Sequence, residues 1–352
     1  MPDARIDAEG YTQNPTALHP MDDRFRALDA WLREALPGAS FRVERASSDA
    51  SFRRYFRVHL ADGRTQIAMD APPAREDSRP FVHVAKLLRE AGLNAPGILR
   101  ADFDRGFLLV TDLGTTAYLA VLNQESADRL FGDATSALVR WQAASREGEL
   151  PPYDEALLRR EIMLFPDWYV GRHLGIELDA RQRESFEAVT RRIIERNLAE
   201  PRVYVHRDFM PRNLMVCEPN PGILDFQDAV HGPISYDVAC LFRDAFVSWE
   251  EERVLDGTIR YWEKARAAGL PVRADFAQFW ADAEWMGVQR HLKVLGIFAR
   301  LHYRDGKSGY LEDTPRFLGY VRHAATRYRE LGPLAALLDE IERVRPEARY
   351  TF

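Results

Sequence analysis

The residues able to do chemistry cluster between Val203 and Asp228. His206-Arg207-Asp208 is followed by four residues and then Asn213, and Asp225-Phe226-Gln227 follows a short distance on. A carboxylate such as Asp208 can hold an acceptor hydroxyl in line and take its proton. The side-chain carbonyl of Asn213 and the carboxylate of Asp225 are hard oxygen donors that suit a divalent cation such as magnesium. A base and two metal ligands at this spacing meet the needs of moving the terminal phosphoryl group of a nucleotide onto a hydroxyl. Each fragment alone is common by chance, so the reading rests on the complete set.

These side chains need strands to hold them. Val203 to Val205 and Leu214 to Cys217 are short apolar runs bounded by polar or turn residues, and therefore read as strands flanking a loop. Glu218 to Gly222 is a turn, after which Ile223-Leu224 resumes the strand pattern, so a hairpin is expected. Further on, His231-Gly232-Pro233 reads as a turn and Tyr236 to Phe246 as a helix. Asp237 in that helix is placed to anchor the loop through backbone amides, or simply to cap its own helix.

The chain has 352 residues, 46% hydrophobic and 29% charged, enough for more than one core, so two lobes are expected. A net charge of -6 argues against a nucleic-acid binder with a basic surface and favours a small substrate. Cys217 and Cys240 read as buried free thiols of a reducing compartment. Residues Met1 to Pro20 lack the apolar core of a signal peptide, and no run reaches membrane-spanning length. A cytoplasmic protein with no membrane partner is expected, with monomer as its state.

The fold expected is α+β, a protein-kinase-like two-lobed arrangement with a small antiparallel-sheet lobe and a large, mainly helical lobe. Residues 1–21 read as a disordered terminus, 22–111 as the first lobe, 112–115 as a hinge and 116–352 as the second lobe. In the first lobe, Asp22 to Leu36 has helical spacing, and strands are expected at Phe41 to Glu44, Tyr55 to Leu60, Thr65 to Met69, Ile98 to Asp102 and Phe107 to Thr111. Pro80 to Glu90 reads as an amphipathic helix.

The loop before the second strand lacks the glycines that usually let backbone amides approach phosphates. Small Ser48, Ala50 and Ser51 could expose backbone donors there, and Arg53, Arg54 or Arg57 could contact phosphate through guanidinium forks; the alternative is that these arginines are a solvated strand face. Met69-Asp70 stands where such lobes carry a lysine, and neither residue can replace it. Thr111, Asp112 and Leu113 are the expected hinge segment that receives a nucleotide base.

In the second lobe, helices are expected at Ala127 to Ala144 and Arg181 to Asn197. The stretch between them, rich in aromatics and charges, includes Glu161, Trp168 and Tyr169. Glu161 is a candidate substrate contact beside apolar rings, weighed against a solvated helix glutamate. Glu284 to Tyr303 places Trp285, Val288, Leu292, Leu295 and Ala299 on one stripe, with Gln289, Arg290, Lys293 and Arg300 on the other faces. Arg290 and Lys293 would suit an anionic substrate, against the ordinary reading of a solvated surface.

With these residues in place, the chain resembles the aminoglycoside and choline phosphotransferase superfamily from about Asp22 onward. Asp49 to Arg57, Met69-Asp70-Ala71-Pro72, Leu164 to Tyr169 and Gln289 to Gly296 look like the bacterial anomeric kinases of cell-wall sugar recycling. For that subgroup the missing glycines and strand lysine look normal. The resemblance implies an ATP- and magnesium-dependent kinase that phosphorylates N-acetylmuramate and N-acetylglucosamine at the anomeric hydroxyl. It makes Asp208 the base, Asn213 and Asp225 the magnesium ligands, and Thr111 to Leu113 the adenine hinge. A kinase for another hydroxyl compound, such as an aminoglycoside or amino alcohol, is the alternative enzyme; a catalytically silent nucleotide-binding protein is the alternative outside enzymes.

Overall fold

The computed structural model describes residues 23–47 and 52–344, so the expectations for residues 1–21 and for Ser48, Ala50 and Ser51 lie outside the described residues. The described residues divide into two compact units, one running to Ser78 and taking in Ile98–Asp112, the other built from Arg79–Gly97 and the described residues from Leu113 onward.

The first unit contains α1 (Asp23–Ala35), β1 (Phe41–Ser47), β2 (Arg54–Leu60) and β3 (Thr65–Asp70); after an excursion through α2 (Arg79–Glu90), β4 (Ile98–Asp102) and β5 (Phe107–Thr111) complete it. All five strands are antiparallel in the order β1-β2-β3-β5-β4, as the alternating segments and the Asp62-Gly63 turn predict. Leu28, Trp31 and Leu32, three and four residues apart on one face of α1, bury against Phe56, Val58, Ala68, Phe107 and Leu109. Each such side chain removed from water contributes about 2 kcal/mol, which is what holds a 13-residue helix onto the sheet.

The amphipathic helix α2, expected in the first lobe, belongs by its contacts to the second unit. Phe81 packs on Phe226 with ring centroids 4.8 Å apart, and Asn94 just beyond the helix bridges to Gly222. The second unit continues with α3 (Tyr118–Val121), α4 (Ala127–Ala143), α5 (Glu155–Ile162), a π-helical stretch over Phe165–His173, and α6 (Ala180–Leu198). Asp179 caps α6 in a reciprocal box with Gln182. Then come β6 (Arg202–Val205), β7 (Leu214–Met215), β8 (Gly222–Ile223) and β9 (Val230–Pro233). The helices α7 (Tyr236–Phe242), α8 (Glu251–Ala267), α9 (Phe276–Asp305), α10 (Thr314–Arg327) and α11 (Gly332–Val344) close it.

The expected hairpin exists as β7 paired with β8. β6, by contrast, pairs with β9, where His231-Gly232-Pro233 had read as a turn. The helix expected over Tyr236 to Phe246 stops at Phe242. The last long helix is longer than expected, 30 residues, beginning at an Asp275 cap and ending at Gly306 in the left-handed region. Trp285, Val288, Leu292, Leu295 and Ala299 lie in the core as the stripe predicts. Gly296 on the same helix is required by close approach, since a Cβ there would fall 2.3 Å from the carbonyl carbon of Leu164. Cys240 is buried, Cys217 is half-buried, and both are free thiols. No described helix is long and apolar enough to cross a membrane.

Candidate active site

β6 delivers the chain into the His206-Arg207-Asp208 loop, and α7 holds it there. The carboxylate of Asp237 accepts the backbone N–H of His206 at 2.6 Å and that of Arg207 at 2.9 Å, the amide anchoring that was one of its two expected roles. Cys240, one turn further along α7, donates its thiol to the Arg207 carbonyl. So anchored, Arg207 takes a φ of 78°, a left-handed conformation costly for a residue with a Cβ. Burial pushes His206 down to about 4, so its imidazole is neutral and its Nδ1 accepts the Asp208 amide.

Beyond Asp208 the loop closes on itself. Asn213 ends a 3₁₀ turn starting at Pro211, and its amide nitrogen donates to the Asp208 carbonyl at 2.9 Å and to Asp225 Oδ2 at 3.3 Å. The Leu224 amide donates to the Asn213 carbonyl at 2.9 Å, which ties the two segments together one residue before Asp225. Asp225 is the second described non-glycine residue with positive φ, at 62°, and its Oδ1 accepts from Gln227 at 2.9 Å. Asp208, Asn213 and Asp225 are thus brought together in one hydrogen-bonded unit. Among the described residues, none donates to the Asp208 carboxylate, which is partly exposed.

This set fits a divalent cation. With the Asn213 amide nitrogen committed to the loop carbonyl and to Asp225, its side-chain carbonyl oxygen is the atom left to serve as a metal donor, next to the Asp225 carboxylate. Two hard oxygen donors so placed match magnesium or a similar ion.

The residues expected to touch substrate have a different setting. Glu161, at the end of α5, is 5% exposed rather than a solvated helix glutamate. One of its oxygens pairs with Arg207 and, at 3.1 Å, with Lys293; the other accepts the hydroxyl of Tyr153. Burial opposes its ionisation, but Lys293 and Arg207 outweigh that cost and hold its carboxyl below the usual range. Lys293 also donates to the Tyr236 hydroxyl at 3.1 Å. Arg290 is buried too, donating to the Arg243 carbonyl at 3.3 Å and lying against Met210 of the loop.

Arg290 and Lys293 are therefore not on the solvated surface that is the alternative to their reading as substrate contacts: this part of α9 is buried, with Lys293 paired to Glu161 and Arg290 lying against Met210 of the catalytic loop. Tyr153 and Tyr236 in this network went unnoticed in the sequence. The available signal was Arg207 itself, a guanidinium in a loop that needs a carboxylate partner.

In the first unit, each candidate phosphate-contacting arginine holds a carboxylate. Arg53 pairs with Glu76 at 3.1 Å, Arg54 with buried Asp70, and Arg57 with Asp112 at 2.6 Å. Asp70, standing at the expected lysine position, also takes Arg24. Thr111 and Asp112 end the first unit and Leu113 begins the second, where its side chain sits beside Gly222. Ser51, the remaining candidate, lies outside the described residues.

The fold and this constellation define a small-molecule phosphotransferase, and comparison with known proteins agrees. The profile of the phosphotransferase enzyme family matches residues 42–276, and the chain belongs to that family. It is 52% identical over 328 residues to the N-acetylmuramate/N-acetylglucosamine kinase of Pseudomonas aeruginosa, covering 90% of this chain and 96% of that one. It is 51% identical to the Neisseria meningitidis protein of the same name, over 89% and 95% of the two chains. Among solved structures, an ethanolamine kinase from Plasmodium vivax shares the fold with a TM-score of 0.61 at 10% identity, over 85% and 86% of the chains.

Proposed function

We propose that the protein is an ATP- and magnesium-dependent sugar kinase that phosphorylates the anomeric hydroxyl of N-acetylmuramate and N-acetylglucosamine, acting in the cytoplasm on sugar recovered from peptidoglycan. The observation that carries this reading is the 52% identity to a kinase of that name across nearly the whole of both chains, with the Asp208, Asn213 and Asp225 unit intact.

Asp208 orients the anomeric hydroxyl and accepts its proton as the phosphoryl group departs the nucleotide. Asn213 and Asp225 would hold magnesium, which when bound neutralises charge on the transferring phosphoryl group. Asp237 fixes the loop backbone, while Glu161, Lys293 and Arg290 support it from beneath. Arg53 and Arg54, with Ser51, are the proposed phosphate contacts, the two arginines exchanging their present carboxylates for the nucleotide; Thr111, Asp112 and Leu113 are the proposed base-binding segment.

The experiment is ADP release measured with N-acetylmuramate, N-acetylglucosamine, choline and kanamycin. Turnover with the two amino sugars is expected. Turnover of neither amino sugar, with either of the other compounds active, overturns the reading.

A further inference from the structure

Gln227 stands two residues beyond Asp225, and one of its two polar atoms is already used: its Nε2 donates to Asp225 Oδ1 at 2.9 Å. The other is not. Its Oε1 is buried in a side chain only 8% exposed, and no donor among the described residues reaches it. An ionised carboxylate can only accept, so the NH₂ must face Asp225 and the carbonyl oxygen must face away from it. Buried polar atoms without a partner are uncommon, and one on the side chain that grips a proposed metal ligand calls for a donor brought by what the site binds.

The backbone that carries Gln227 is fixed from both sides. Phe226 is fully buried and packs on Phe81, and the Ala229 amide closes a turn on the Phe226 carbonyl at 3.0 Å. The Asp228 carbonyl accepts the Arg207 guanidinium at 3.2 Å, which ties this turn to the catalytic loop. Asp225 itself has a φ of 62°, a sparsely populated conformation that its surroundings must hold. A glutamine at 227 meets two requirements. It donates toward Asp225, which an ionised glutamate cannot do. It does so without charge, whereas an arginine or lysine would oppose a divalent cation at the neighbouring carboxylate.

We propose that Gln227 is a positioning residue for the metal: its amide nitrogen holds the Asp225 carboxylate in place for the cation, and its carbonyl oxygen accepts a hydrogen bond from the water that magnesium retains when bound. The inference rests on the magnesium-dependent reading of the site and adds to it a residue that is not itself a metal ligand.

The test measures ATP binding by calorimetry, in excess magnesium and in EDTA, for the unaltered protein, Gln227→Met and Gln227→Ala. Gln227→Met keeps the length of the side chain and removes both polar atoms. Its Kd for ATP in magnesium should rise roughly 10- to 100-fold, the usual cost of losing an outer hydrogen-bond partner of a metal ligand, while its Kd in EDTA stays at the parent's value. Gln227→Ala should behave in the same way, so a failure of Met to pack leaves the result readable. ATP binding that weakens equally with and without metal, or that is unchanged in both, shows that Gln227 only ties its own turn and overturns the assignment. If magnesium does not tighten ATP binding by the unaltered protein, the magnesium-dependent reading falls and the assignment falls with it.

Discussion

Asp237 accepts the backbone amide of Arg207 at 2.9 Å, across 30 residues of sequence. Its other oxygen takes the amide of His206. Two N–H groups converging on one buried carboxylate leave no position for a donor. Asp237→Asn must turn its NH₂ toward one of those amides, leaving a buried N–H unsatisfied at a cost of about 1–3 kcal/mol. Urea unfolding should show that loss, and kcat should fall more than KM rises because the loop is displaced. A variant as stable and as active as the parent would mean that the loop is held by other contacts.

Asp208→Asn keeps the size and removes the base. Turnover is expected to fall by roughly 10²–10⁴-fold, with the unfolding midpoint unchanged, because no described residue donates to that carboxylate. Asp225→Asn should instead abolish the rise in melting temperature that ATP with magnesium produces, since ligand stabilisation scales with occupancy. Thermal shift with and without magnesium separates the two roles. An Asp225→Asn protein still stabilised like the parent would remove this residue from metal binding.

Glu161 and Lys293 form a buried pair at 3.1 Å, but the pair is not symmetrical, because Arg207 shares the same carboxylate oxygen. Lys293→Met leaves Glu161 with Arg207. Glu161→Gln leaves buried Lys293 and part-buried Arg207 without the carboxylate they share. The glutamate substitution should therefore approach the roughly 3–5 kcal/mol typical of an orphaned buried charge, and the lysine substitution should cost less. Equal losses in denaturation of the two variants would show that Arg207 does not share the load.

Glu200 gives the protein a pH dependence. It is fully buried, accepting the Ser235 amide at 3.2 Å and hydroxyl at 2.8 Å, and burial pushes its carboxyl up to about 8. The unfolded chain ionises near the ordinary value of 4.5, so this contribution is full below that pH and is lost as pH rises through the folded value. The accumulated loss is on the order of 4 kcal/mol by pH 8. Glu200→Gln can keep both contacts, its carbonyl oxygen accepting the Ser235 amide and its NH₂ donating to the Ser235 hydroxyl oxygen, as the protonated acid can. Measured against the parent, it should be near neutral at pH 4.5 and stabilising at pH 8; an equal effect at both values would exclude Glu200 as the titrating group.

The catalytic loop was legible because its spacing is dictated by the atoms it must bring together, and the five-stranded sheet because alternation and turn residues are local signals. Asp237 could be read as an anchor for the same reason. The charges of α9 were not legible. Periodicity assigns Arg290 and Lys293 to faces away from the apolar stripe, and only the packing of other helices around those faces shows that they are interior. Nor was β9, whose Gly232-Pro233 is a turn signal in isolation and becomes a strand only by pairing with β6, far back in the sequence. Glu161 was singled out for its aromatic neighbours, while its charged partners, Arg207 and Lys293, come from two distant segments and Tyr153 from just before its own helix.

Gly296 lies one helical turn after Lys293, and the Leu164 carbonyl it touches lies one turn after Glu161. A close backbone approach of these two helical segments therefore sits immediately next to their ion pair. Any side chain at position 296, even a methyl, would act as a wedge, and the first thing it would part is a lysine from a glutamate. The electrostatic support of the catalytic loop can thus be destroyed without altering a single charged residue.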